Sequence, residues 1–139
     1  MSFQEKSNLA MTGLFVLVYG GYFATVLPSA LSGEVSLASV QWLLFGAVVF
    51  LVVGGVFAHV LVAIAAPNET DAADERDKLI EMRADARTSY VLGFGALMAM
   101  GLALLEFDVF WIAHVLLAAL VASEVAKGVF RAIDYRRGV

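Results

Sequence analysis

The sequence has no cysteine and only two prolines among its 139 residues. Without thiols there is no disulfide, no thiolate metal site and no cysteine nucleophile. Charge is scarce as well: 16% of residues, against roughly 25% in ordinary globular chains. The scarcity is segregated. No Asp, Glu, Lys or Arg occurs in Leu9–Leu31, in Val40–Ala66 or in Thr88–Leu105. No glycine-rich phosphate loop occurs in the polar part, and a net charge of −4 gives a nucleic-acid partner nothing to grip.

What the chain has is apolar length. Hydrophobic residues make up 61% and the mean hydropathy is +0.85. A single small domain cannot hide that much apolar surface from water, so the solvent for most of the chain is lipid. About 20 helical residues cross a hydrocarbon core roughly 30 Å thick. Four stretches satisfy this: 9–31, 40–66, 88–105 and 109–130. The first is read as a span rather than a signal peptide ending at Ala30-Leu31-Ser32. Its flank is barely basic and its apolar run exceeds the usual length of about 7–15 residues. Pro28 is expected to kink or end helix 1, and Pro67 to close helix 2. Trp42 fits an interfacial anchor.

The polar stretch Thr70–Arg87, TDAADERDKLIEMRADAR, divides the spans into two pairs. Thr70 or Asp71 can cap a new helix, and Asp71, Asp74, Glu75 and Asp77 suit its positive end. Asp74–Lys78 and Glu75–Lys78 are spaced for weak ion pairs, and Leu79, Ile80 and Met82 form a short apolar stripe. No Gly or Pro interrupts Asn68–Leu92, so helix 3 is expected to start near Asp71 and run unbroken into the membrane. Residues 131–139 read as a basic tail.

Orientation follows from the cations. The two short hairpins, 32–39 and 106–108, contain no Lys or Arg, and every cation lies on the other side. By the positive-inside rule both termini and residues 67–87 are cytoplasmic, in an inner (plasma) membrane. The expected fold is all-α: a polytopic four-transmembrane-helix antiparallel bundle in one domain.

Intramembrane ionisable residues are functional suspects. His59 and Glu124 lie on helices running the same way, each roughly 10 Å from the inner end at 1.5 Å per residue. They could form a hydrogen-bonded pair, either proton-responsive or a simple polar clasp. Glu124 pairing with Lys127 is the competing arrangement. His114 sits near the outer end, too far in depth to share a metal or haem with His59. It reads as an interfacial residue near water or Glu106 and Asp108. No metal, cofactor or catalytic residue is expected. Small residues at helix-contact spacing, Gly20/Ala24, Ala99/Ala103 and Ala118/Ala122/Ala126, suit close helix packing within the bundle or in a homodimer.

The segment DERDKLIEMRADARTSYVLGFG, Asp74–Gly95, resembles a group of small bacterial and archaeal four-helix membrane proteins. These share an Asp-Glu-Arg start, a nearby Ile and a small/aromatic lead into helix 3. The resemblance implies the same fold and location. It also implies no assigned reaction and, for some members, company with transcription regulators. The small multidrug exporters also have four helices, but their essential carboxylate lies in helix 1, and Leu9–Leu31 has none.

Two functions remain. One is a non-enzymatic regulatory or sensing subunit that binds a partner through the cytoplasmic cluster Asp74, Glu75, Arg76 and Asp77. The other is a small proton-linked transporter or channel component using Glu124 and His59. The partners expected are the lipid bilayer and a second copy or another protein. An enzyme is disfavoured, because no nucleophile–base pair or metal cluster stands out.

Overall fold

A computed structural model describes residues 3–65 and 75–137. It contains four α-helices: α1 (Phe3–Leu31), α2 (Leu37–Ala65), α3 (Glu75–Leu104) and α4 (Val109–Arg137). All four are long and apolar enough to cross a membrane, as expected for a multi-pass membrane protein. The most extensive contact is between α3 and α4, followed by α1 with α2 and then α1 with α4. The remaining pairs scarcely meet among the described residues. The antiparallel bundle is therefore an arc in the spatial order α2, α1, α4, α3.

Both hairpins are closed by the same device. Past α1, Gly33 N–H donates to Ala30 O (3.2 Å) and Glu34 N–H to Ser29 O (3.2 Å). Past α3, Glu106 N–H donates to Ala103 O (3.1 Å) and Phe107 N–H to Leu102 O (3.0 Å). This is the two-bond C-terminal cap that satisfies orphan carbonyls by turning one residue left-handed. Gly33 takes that role at φ 76° and Glu106 at φ 57°. The following helices start at side-chain caps. Asp108 Oδ1 accepts from Phe110 N–H (2.8 Å), and Ser39 Oγ accepts from Ser36 N–H (3.1 Å).

The core lies toward the hairpin end, where Tyr19, Tyr22, Val26, Ala30, Val40 and Phe110 are buried together. Two glycines set the closest helix approaches. A Cβ on Gly95 would stand 1.9 Å from the Ala119 Cβ, and one on Gly128 would stand 1.8 Å from Thr12 Oγ1. Small residues thus do let backbones approach, but at other positions than spacing suggested. Gly20, Ala24, Ala103, Ala118 and Ala122 face outward; of those rows only Ala99 is buried. The rows failed as a guide because every face of an apolar helix carries some small residues.

Helix boundaries moved outward. α1 begins before the apolar run and continues three residues past Pro28, which sits in its last turn. The presumed tail is helical to Arg137, extending α4 well beyond its apolar part. Helix 3 is unbroken from Glu75; the cap at Thr70 or Asp71 and the stop at Pro67 lie outside the described residues.

Candidate functional site: a two-helix post at the charged end

Where α3 and α4 leave the apolar region they stay locked together by a ladder of side chains. Three acids on α3, Asp77, Glu81 and Asp85, recur every four residues on one face. Facing them on α4 at the same spacing are Lys127, Arg131 and Tyr135. Tyr135 O–H donates to Asp77 Oδ1 (2.7 Å), Arg131 to Glu81 Oε1 (2.8 Å), and Lys127 lies 3.2 Å from Asp85 Oδ1. Antiparallel helices bring residues that ascend on one element against residues that descend on the other, so a period of four on both keeps every rung in register. Ile80 and Ala84, both fully buried, fill the space behind the rungs.

A second rung lies beside the ladder. Arg87 Nη1 contacts both oxygens of Asp134, at 3.2 and 3.0 Å, and its guanidinium rides over the Phe130 ring at 5.5 Å. Asp134 is only 4% exposed, and a carboxylate that deep requires a charged partner. At the tip, Arg76 Nη2 donates to Tyr135 O (3.3 Å). Burial, and then the Asp77 carboxylate that it serves, raise the Tyr135 phenol above its ordinary range, so it remains a donor. Exposed rungs contribute about 0–1 kcal/mol each; the buried layer and the Asp134 pair make the post one unit.

This changes the reading of the acidic cluster. Arg76 and Asp77 both reach Tyr135, so these two residues also serve the contact with α4. Asp74 lies outside the described residues. Of the four, Glu75 remains on the outer face. That face continues through Lys78, Leu79 and Met82, with Leu79 38% and Met82 62% exposed. Of the apolar stripe only Ile80 is core. A shallow depression runs across Glu75, Arg76, Lys78, Leu79 and Met82.

The candidate His59–Glu124 pair is not formed. His59 Nδ1 lies 3.0 Å from Ser7 Oγ on α1, and Glu124 Oε1 accepts from Lys127 (3.0 Å) within its own helix. Equal depth does not bring side chains together when α1 stands between their helices, as the arc requires. The competing Glu124–Lys127 arrangement is the one present.

His114 also departs from its interfacial reading. It is 4% exposed and stacks on Phe110 at 3.9 Å between ring centroids. Its Nδ1 is 2.7 Å from Phe110 O and its Nε2 is 2.8 Å from Tyr22 O–H. A carbonyl only accepts, so Nδ1 carries a proton; in the neutral ring Nε2 then accepts from Tyr22. Both nitrogens are engaged in tying α1 to α4. Ser123 Oγ to Thr88 O (3.2 Å) and Asn8 Nδ2 to Gly128 O (2.9 Å) are further polar ties, between α4 and its two neighbours. No local pattern announces such pairs, since each partner is far away in sequence. Among the described residues no group of three metal-ligating side chains converges.

Two hollows deserve notice for their place. An open apolar groove of about 600 Å³ lies between α1 and α2, bordered by Leu17, Gly21, Trp42 and Gly46. A smaller one of about 230 Å³ lies between α1 and α4, and Arg136 is at its polar end. Comparison with protein-family models, with curated proteins and with solved structures finds no match for this chain.

Proposed function

We propose that this protein is a non-enzymatic, multi-pass subunit of the inner (plasma) membrane that binds a partner protein in a regulatory or sensing role. Its termini and its charged post are cytoplasmic, because both hairpins lack cations and every Lys and Arg lies at the other end. One observation carries the reading. The post projects as a pre-formed unit and holds Leu79 and Met82 exposed at the polar end of the molecule, beside Lys78. Exposed large apolar side chains among charges are what a protein contact uses. Pre-organisation by the α4 ladder lowers the ordering entropy that a partner would otherwise have to offset.

α3 enters the membrane from its N-terminal end, so Cα–Cβ bonds on the post lean away from the lipid. Lys78, Leu79 and Met82 are thereby presented to water. The transporter alternative rested on His59 and Glu124 acting together, and no geometry here favours it.

A photocrosslinking amino acid at position 82 tests the proposal in native membranes. The expected result is one discrete protein adduct that Lys78→Glu weakens severalfold. An adduct of twice the chain's mass would make the partner a second copy; labelling of lipid alone would refute the reading.

A further inference from the structure

On α4 the acid near the end of the post is engaged within the molecule, which leaves the outer rim of that helix cationic, while Glu75 stays exposed on α3. Asp77, Glu81, Asp85 and Asp134 are all engaged by α4 or by Arg87. Arg136, on the side of α4 away from that ladder, is exposed and makes no hydrogen bond or ion pair with a described residue. It stands at the end of the α1–α4 hollow, whose floor is Leu9, Val129, Ala132 and Ile133. Val129, Ala132, Ile133 and Arg136 recur at three- and four-residue steps, so they share one face of α4.

Depth gives this face its meaning. The apolar part of α4 ends near Phe130, and Arg136 follows about 9 Å further along the axis. The headgroup layer is roughly 5–8 Å thick on each side of the hydrocarbon. α4 leaves the membrane at its C-terminal end, so its Cα–Cβ bonds lean back toward the lipid. The Arg136 guanidinium is therefore carried down to headgroup level, directly above an apolar floor. At its inner edge α1 and α4 are in contact, where Thr12 closes against Gly128.

We infer that this hollow is a binding site for an anionic phospholipid of the surrounding leaflet. One acyl chain lies along Leu9, Val129 and Ile133, and the phosphate is held by Arg136. Charge complementarity selects the occupant. Asp134, two residues before Arg136, is already paired with Arg87, and Arg76 on the Tyr135 carbonyl adds positive charge to the same end of α4. A guanidinium matches a phosphodiester with two parallel hydrogen bonds. The site is independent of the α3 surface assigned to a partner protein.

Native mass spectrometry of the detergent-solubilised protein tests this. The protein is titrated with phosphatidylglycerol, with phosphatidylcholine of the same chains, and with free glycerol phosphate. Phosphatidylglycerol should be retained severalfold better than phosphatidylcholine, and glycerol phosphate should not bind. Loss of one cation near an anionic surface is worth about 1 kcal/mol, so Arg136→Gln should weaken phosphatidylglycerol about fivefold. Arg137→Gln, which removes a neighbouring cation outside the hollow, should leave binding within twofold. Ala132→Phe should block both lipids by filling the floor. Equal retention of the two lipids, equal losses in the Arg136 and Arg137 variants, or binding of glycerol phosphate alone would each overturn the assignment. The lipid comparison on the unaltered protein stands even if a variant misfolds.

Discussion

At the scale of single residues, the two helix–helix turns form a matched pair. Gly33 and Glu106 occupy the same left-handed position in the same cap, and only one of them lacks a Cβ. The conformation is unfavourable for a residue with a side chain and easy for glycine. Glu106→Gly should therefore stabilise the protein by about 0.5–1 kcal/mol, whereas Gly33→Ala should destabilise it by about 1 kcal/mol or more. Reversible unfolding in mixed micelles reads both, and effects of the same sign would contradict the shared cap. Part of this was open to inspection in the sequence. Ser-Gly after an apolar run announces a helix stop, and Asp108 before Val109 announces the next helix start. That Glu106 would adopt glycine's conformation was not, because it follows from the tightness of a four-residue connection and not from the residue's own preference. His114 shows the same limit. Its type and depth were legible, but its ring lies against Tyr22, 92 positions away, and no spacing rule reaches that far.

At the scale of elements, the α3–α4 post is where sequence and structure diverge most usefully. The absence of helix breakers correctly marked residues 75–87 as a helical continuation of the third apolar stretch. The other half of the post lay hidden in the end of helix 4 and the basic tail after it, because Lys127, Arg131 and Tyr135 look unremarkable until opposed to Asp77, Glu81 and Asp85. Charges that seem destined for a partner can thus be consumed inside the chain. Tyr135 gives this element a pH signature. Its phenol is raised in the folded state by burial and by Asp77. A group with a raised folded value contributes stability below its unfolded value and loses that contribution as pH climbs through the folded one. The post should hold constant through neutral pH and begin to loosen above about pH 10, where a free phenol ionises. Hydrogen–deuterium exchange over residues 75–85 should register this. Tyr135→Phe should abolish the alkaline dependence while weakening the post by about 1.5–3 kcal/mol at neutral pH, the usual worth of a hydrogen bond to a charged group. An unchanged alkaline profile in that variant would assign the effect elsewhere.

At the scale of the whole molecule, the arc of helices explains both a success and a failure of sequence reasoning. Four spans and antiparallel order followed from apolar length and short hairpins, and they are found. Which helices touch did not follow, because lipid accepts an apolar helix on any face, so hydrophobicity does not choose neighbours. The choice was made instead by Gly95, Gly128 and a few polar ties, and it separates His59 from Glu124. The orientation can be read directly, since a chain without cysteine offers a silent background. Glu34→Cys and Glu106→Cys should react with a membrane-impermeant maleimide in intact cells, and Lys78→Cys only after permeabilisation. The reverse pattern would invert the proposed topology.

The brevity of those two caps bears on how such a protein can be addressed. Five residues separate α1 from α2 and four separate α3 from α4, so the hairpin face exposes no strand for a protease to thread and no loop large enough for an antibody to clasp. For the sensing role proposed above, this leaves the lipid and the compartment around the post as the two routes by which a stimulus would reach the molecule.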